Sequence, residues 1–156
     1  MRWLADGHRR DAAALVAAAL LGGAALVVSV TGAQADGWAA GVVRVVTVAF
    51  AVLGGGPLTA AVLDRAGQPP AAAIEKPDEA SDVLRGGAWI GVLERAAMSA
   101  TLLAGWPAGI PVVLAVKGLG RYPELRHPGA SERFIIGTLV SLLWAAAATG
   151  TGTMLL

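Results

Sequence analysis

The chain has 156 residues, of which 56% are hydrophobic and 15% are charged, and its mean hydropathy is +0.65. This composition excludes an ordinary soluble domain and predicts an all-α, polytopic helical membrane protein. There is no cysteine, there are two histidines, and the net charge is only +1. We therefore expect no disulfide, no metal site, no cofactor and no nucleic-acid partner.

Two apolar runs occupy the N-terminal part of the chain, at residues 12–31 and 45–63. Each is close to the roughly 20 residues that a helix needs to cross the hydrocarbon core, so both are predicted to span. Together they form an N-terminal transmembrane hairpin, residues 1–63. Arg2, Arg9 and Arg10, followed by the first run and by Ala33-Gln34-Ala35, also resemble a secretory signal that is cleaved after Ala35. The run exceeds a signal core, so we favour an uncleaved anchor.

The second run contains Gly54-Gly55-Gly56-Pro57 near the middle of the bilayer. Three glycines and a proline weaken a helix, and two interpretations follow. We favour a packing kink, because glycine and proline are common in membrane helices. The alternative is a broken helix, in which Pro57 begins a half-helix whose free amide groups face a ligand, as in transporters.

Residues 64–85 contain prolines and mixed charges, which predict a cytoplasmic loop. A C-terminal membrane module, residues 86–156, follows. Its predicted segments are residues 87–106, 108–125 and 134–156, and Pro107 ends the first of them. The fourth segment of the chain either spans or re-enters, because only residues 108–116 of it are uncharged. The sequence thus predicts about five membrane segments.

Basic residues orient these segments. The N-terminus, the loop at residues 64–85 and the connection between the fourth and fifth segments carry lysine and arginine, whereas residues 32–37 and the turn at Trp106 carry none. Cytoplasmic loops are enriched in basic residues. We therefore predict a multi-pass protein of the bacterial plasma membrane, with a cytoplasmic N-terminus and a C-terminus outside.

Four charged residues lie inside the third and fourth segments: Glu94, Arg95, Lys117 and Arg121. A charge at the centre of a membrane helix costs at least about 2.5–3.5 kcal/mol, so these side chains need partners. Depths counted along the two helices place Glu94 level with Lys117, which predicts an ion pair within a helical hairpin. Arg95 and Arg121 are long enough to reach the membrane surface. Further members of this charge network are Glu124, Glu132 and Arg133.

Small residues form two stripes with helical spacing. Gly87, Gly91 and Ser99 share a face of the third segment with Arg95, and Gly137, Ser141 and Ala145 recur every four residues in the fifth. Such faces allow close packing of membrane helices, either within one chain or between copies.

The sequence from Arg85 to Arg95 reads Arg-Gly-Gly-Ala-Trp-Ile-Gly-Val-Leu-Glu-Arg, and is followed by Lys117-Gly-Leu-Gly-Arg121 and by Glu132-Arg-Phe-Ile-Ile-Gly-Thr-Leu139. Over about residues 85–145 this pattern resembles the C-terminal membrane module of an uncharacterised bacterial membrane-protein family. The resemblance implies a shared signature but no reaction. Its members in this chain are Glu94, Arg95, Lys117, Arg121, Glu132, Gly137 and Thr138.

These features predict a small non-enzymatic membrane protein, an oligomeric scaffold or an accessory subunit. Its charges at the inner leaflet would either close helix pairs or bind an anionic lipid or a partner protein. The alternative is an ion or small-anion transporter or channel formed by oligomerisation. A membrane enzyme acting on lipid phosphates would need acidic metal ligands, for which Asp78, Glu79 and Asp82 are candidates, but their run is typical of a solvated loop.

Overall fold

The structure is a computed structural model that describes residues 2–32, 34–67, 80–120, 122 and 128–156. The described residues form five helices and no strand, which confirms the all-helical class. The helices are α1 (Arg2–Thr31), α2 (Trp38–Arg65), α3 (Ala80–Leu103), α4 (Gly109–Gly120) and α5 (Pro128–Thr153).

Two of these helices are long and apolar enough to cross a membrane, by length and composition. They are α2 and the part of α5 from Ser131 to Thr153. The apolar part of α1, Ala12–Ala25, is shorter, and so is α4. Five crossings therefore stay a prediction. The helix α4 has 12 residues, and at 1.5 Å per residue it is about 18 Å long, less than the roughly 30 Å of a hydrocarbon core.

Helix boundaries differ from the predicted segments mainly at polar ends. The helix α2 begins at Trp38, two turns before the predicted run, so that Arg44 is a residue of the helix. The helix α3 begins at Ala80, inside the predicted loop at residues 64–85. Residues 68–79 of that loop, which include Asp78 and Glu79, lie outside the described residues. Ala33 of the predicted cleavage site also lies outside them.

The helices α2 and α5 form the centre of the fold and run antiparallel. Thr47 of α2 lies beside Gly152, Gly54 beside Trp144, and Thr59 beside Gly137. The helix α3 packs against both α2 and α5, α1 packs mainly against α2, and α4 packs against α3. The N-terminal pair of helices and the C-terminal ones therefore share one interior.

Burial is inverted relative to a soluble protein. The buried residues are mostly small or polar, and among the latter Ser99 and Thr149 are fully buried. Large apolar side chains face outward, including Leu53 at 73% exposure and Leu119 at 75%. Exposed apolar surface of this extent marks contact with lipid or with another protein. Small residues inside and large apolar residues outside are typical of helices that pack within a membrane.

Candidate functional site

Two adjacent residues of α3 bring opposite charges into the interior. Glu94 is 7% exposed and Arg95 is 6% exposed, although both lie in an apolar helix. Consecutive residues of an α-helix are rotated by about 100° from each other, so these two side chains reach different neighbours. We call Glu94, Arg95 and Lys117 the charged junction, because each of them joins two helices.

Glu94 connects α3 to α4. The Lys117 ammonium group donates a hydrogen bond to Glu94 Oε2 and forms an ion pair with it. This pair is the one predicted from helix depth. The same ammonium group lies 5.6 Å from the centre of the Phe134 ring on α5, within the range of a cation–π contact. Lys117 thus has an anion on one side and an aromatic face on the other.

Only one of the two carboxylate oxygens of Glu94 has a hydrogen-bond partner among the described residues. Its Oε1 is buried and has no hydrogen-bond partner among the described residues, and the same holds for Thr138 Oγ1 on α5. Thr138 lies one helical turn from Phe134 and about one turn from Ser141, between two residues that contact the charged junction. A buried acceptor without a donor is unfavourable. Each of these two oxygens could bond to a water molecule or to a polar ligand group.

Arg95 connects α3 to both α2 and α5. Its Nε donates to the main-chain carbonyl oxygen of Val52 at 2.8 Å, and one terminal nitrogen donates to Ser141 Oγ at 3.1 Å. The sequence predicted that the Arg95 side chain is long enough to reach the membrane surface. The structure corrects that expectation, because hydrogen bonds to two neighbouring helices hold the guanidinium group inside the bundle.

The glycines of α2 form a notch for two large side chains. A Cβ atom on Gly55 would collide with Arg95 Cδ, and one on Gly54 would collide with the Trp144 ring. Trp144 donates its Nε1 hydrogen to the Ala51 carbonyl oxygen at 3.1 Å and packs against Phe50 at a centroid distance of 5.3 Å. The glycines therefore serve close packing.

The helix α2 continues through Pro57 without a break. Residues from Gly54 to Pro57 are helical, so the alternative of a half-helix that begins at Pro57 is wrong for this chain. Proline still removes one amide hydrogen, the one that would bond to the Leu53 carbonyl group. Gly56 also lies near the Arg95 guanidinium group. A Cβ atom on Gly56 would lie 3.9 Å from one of its terminal nitrogens.

The small-residue stripes mediate packing within one chain. Thr149 Oγ1 donates to Ser99 Oγ at 2.9 Å, which links α5 to α3, and Ala145 is fully buried. Gly137 faces Thr59 and Leu63 of α2, and Gly91 makes room for the Arg95 guanidinium group. For Gly87 the structure describes the helical backbone alone.

The outer members of the predicted charge network are Arg121, Glu124, Glu132 and Arg133. Arg121 and Glu124 lie outside the described residues. Glu132 is exposed and forms no ion pair with a described residue, and its place in the charge network stays a prediction. Arg133 is half-buried.

Three further residues were not predicted from the sequence as members of a site. Phe134 contacts Lys117 of the charged junction, and Trp144 packs in the glycine notch of α2. Only the spacing of these two residues from Ser141 on one face of α5 could have indicated these contacts. Arg44 was overlooked because the second apolar run was counted from Val45. It lies on the side of α2 that was thought to carry no basic residue.

Among the described residues, no group of three or more acidic or histidine side chains could hold a metal ion. Comparisons with protein-family models, with curated proteins and with solved structures find no match for this chain. The resemblance to an uncharacterised bacterial family therefore stays a prediction, and the candidate site is described from its own chemistry.

Proposed function

We propose that the protein is a small, non-enzymatic integral membrane protein that acts as an oligomeric scaffold or as an accessory subunit of a membrane complex. One observation carries the proposal: the buried charges join α2, α3, α4 and α5 to each other, while large apolar side chains cover the outside. Charges that are engaged within the chain favour a structural role, and the apolar exterior offers surface to lipids and partner helices.

The proposed location is the bacterial plasma membrane, with the N-terminus in the cytoplasm and the C-terminus outside. The antiparallel order of α2 and α5 agrees with this topology. The main-chain carbonyl oxygen of Leu155, the residue before the last, accepts a hydrogen bond from Ala35 N at 2.7 Å, as expected if the α1–α2 connection and the C-terminal end of α5 share a side. This topology requires the fourth segment to cross the membrane, and the 12 residues of α4 cover about 18 Å of that distance.

The charged junction has an excess of positive charge that favours an anionic ligand. Arg95 and Lys117 carry two positive charges against the single negative charge of Glu94. Lys117 is also the most accessible of the pair, with 15% of its side chain exposed against 8% for Glu94. We propose that Lys117 additionally contacts an anionic lipid headgroup of the inner leaflet or an acidic group of a partner protein.

A second candidate is an ion or small-anion transporter or channel formed by oligomerisation. The specific observation in its favour is the pair of unpartnered oxygens, Glu94 Oε1 and Thr138 Oγ1, inside an apolar helical protein. Intramembrane carboxylates without a full set of partners often belong to ion or proton pathways.

Native mass spectrometry of the full chain, released from alkali-washed membranes into detergent, tests the leading proposal. We expect an oligomer or a complex that retains anionic lipid. The double variant Lys117→Met with Glu94→Gln should retain fewer anionic lipid molecules than the wild-type chain, because it removes the Lys117 cation without leaving a buried carboxylate unpaired. Leu119→Met, at an exposed position of the same helix, is the control and should retain as many as the wild-type chain. A lone monomer without lipid would contradict the proposal.

Flux measurements in proteoliposomes test the transporter. Glu94→Gln should abolish a genuine flux, whereas the matched change Glu132→Gln, at an exposed glutamate, should leave it intact. Absence of flux for both monovalent cations and small anions in the wild-type chain would exclude this candidate.

A further inference from the structure

An apolar groove runs along the outside of the bundle where α2 meets α3. It is lined by Val45, Val48 and Val52 of α2 and by Val92 and Ala96 of α3, with Arg44 at one end. From Arg44 to Val52 is eight residues, or about 12 Å along the helix axis. This length is slightly less than the roughly 15 Å that one leaflet contributes to a 30 Å hydrocarbon core.

Arg44 is an exposed, charged residue at one end of this apolar groove. It forms no ion pair and no hydrogen bond with any described residue, and its side chain is accessible. It lies six residues after the start of α2, about 9 Å along the axis from Trp38. Cα–Cβ bonds of a helix tilt toward its N-terminus, so the Arg44 side chain leaves the helix toward the end of α2 that begins at Trp38. Trp38 itself is 84% exposed, as expected for an aromatic residue at a membrane interface.

We propose that this groove is a phospholipid site, in which Arg44 binds the lipid phosphate and one acyl chain lies along the valines. The inference rests on the membrane location proposed above, and it concerns the leaflet at the start of α2, which is the outer leaflet in that topology. It is separate from the inner-leaflet contact proposed for Lys117.

Charge complementarity selects a lipid as the occupant. An apolar helix from a second copy would cover the valines, yet it would leave the guanidinium group without an anion. A phospholipid supplies both parts: a phosphate, which arginine binds through two parallel hydrogen bonds, and a chain that fills an apolar groove. The small residues Ala49 and Ala96 also line the groove, one on each of the two helices, and their short side chains favour room for a chain between them.

The test uses the full chain in detergent, titrated with dioleoyl phosphatidylglycerol and followed by native mass spectrometry. Arg44→Gln should weaken the first lipid adduct about fivefold, which corresponds to about 1 kcal/mol for one basic residue near an anionic headgroup. Arg44→Lys should retain most of the binding. Val48→Phe fills the groove and should weaken the adduct at unchanged charge, whereas Val46→Phe, an exposed position of the same helix outside the groove, should not.

Equal lipid binding by the wild-type chain and by Arg44→Gln would overturn the proposal, and so would a wild-type chain that binds no lipid. A dimer that Val48→Phe dissociates, with no dependence of lipid on Arg44, would overturn it by assigning the groove to a second copy. Alkaline extraction of membranes distinguishes this failure from that of the proposed function. A chain that stays in the membrane pellet keeps the proposed location, even if Arg44 binds nothing.

Discussion

Arg95 and Arg44 are both arginines in apolar helices, yet their surroundings are opposite. Arg95 is 6% exposed and donates to α2 and α5, whereas Arg44 is exposed and bonds to no described residue. The difference lies in the facing helices. Gly55 and Gly91 leave room for the Arg95 side chain, while Arg44 faces an open groove lined by valines. In this chain, small residues on α3 and on the neighbouring helix α2 enclose Arg95, whereas no such residues enclose Arg44 and its side chain stays accessible.

The largest effect is expected when the charged junction loses one member of its ion pair. Lys117→Met should destabilise the fold by about 3–5 kcal/mol, because Glu94 stays buried without its closest cation. Adding Glu94→Gln should restore much of that loss. Thermal unfolding in detergent measures both variants, and a double variant as unstable as Lys117→Met alone would contradict the role of the pair.

Replacing Arg95 and Arg44 in turn with alanine compares the surroundings of the two arginines directly. Arg95→Ala should cost about 2–5 kcal/mol, as large-to-small changes in a packed interior do, and it also removes hydrogen bonds to two helices. Arg44→Ala should change the free energy of unfolding by less than about 0.5 kcal/mol in lipid-free detergent. Equal effects of the two variants on the midpoint of unfolding would remove the distinction between a structural and an available arginine.

Filling the glycine notch is a test of its close packing. Gly55→Ala should destabilise by about 1–3 kcal/mol, since the new methyl group collides with Arg95 and overpacks the interface. Gly41→Ala is the matched control, because a Cβ there meets no atom within 4 Å. That control should be neutral or stabilising by up to about 1 kcal/mol, as alanine is a better helix former. The same unfolding assay separates the two.

The smallest of these effects concerns the contact between α3 and α5. Ser99→Ala removes the acceptor for Thr149 in a fully buried position and should cost about 0.5–1.5 kcal/mol. Ser141→Ala removes one of the two partners of Arg95 and should cost a similar amount. If Ser99→Ala is neutral while Thr149→Val is not, the Thr149 hydroxyl group has another partner.

The sequence allowed the helical class and one charged contact to be predicted, because both depend on local counting. Run lengths indicate helices, and equal depth on two neighbouring helices places Glu94 beside Lys117. The partners of Arg95 depend on how α2 and α5 approach α3 from the side, which periodicity along α3 does not reveal. Gly54 and Gly55 could be identified from the sequence as an unusual position. The same residues, however, are expected both in a helix with a packing notch and in a broken helix. The side chains that enter the notch come from residues 40 and 90 positions farther along the chain.

The order of synthesis gives the notch of α2 a further consequence. Gly54 and Gly55 emerge early, the arginine that enters the notch comes with α3, and Trp144 comes with the last helix. Until both have arrived, α2 presents an open gap, and the buried charge of Arg95 lacks Ser141 of α5. The interior around the notch thus closes only after α5 has been synthesised. A chain synthesised only through α4 therefore still lacks the Ser141 hydroxyl group that accepts a hydrogen bond from Arg95.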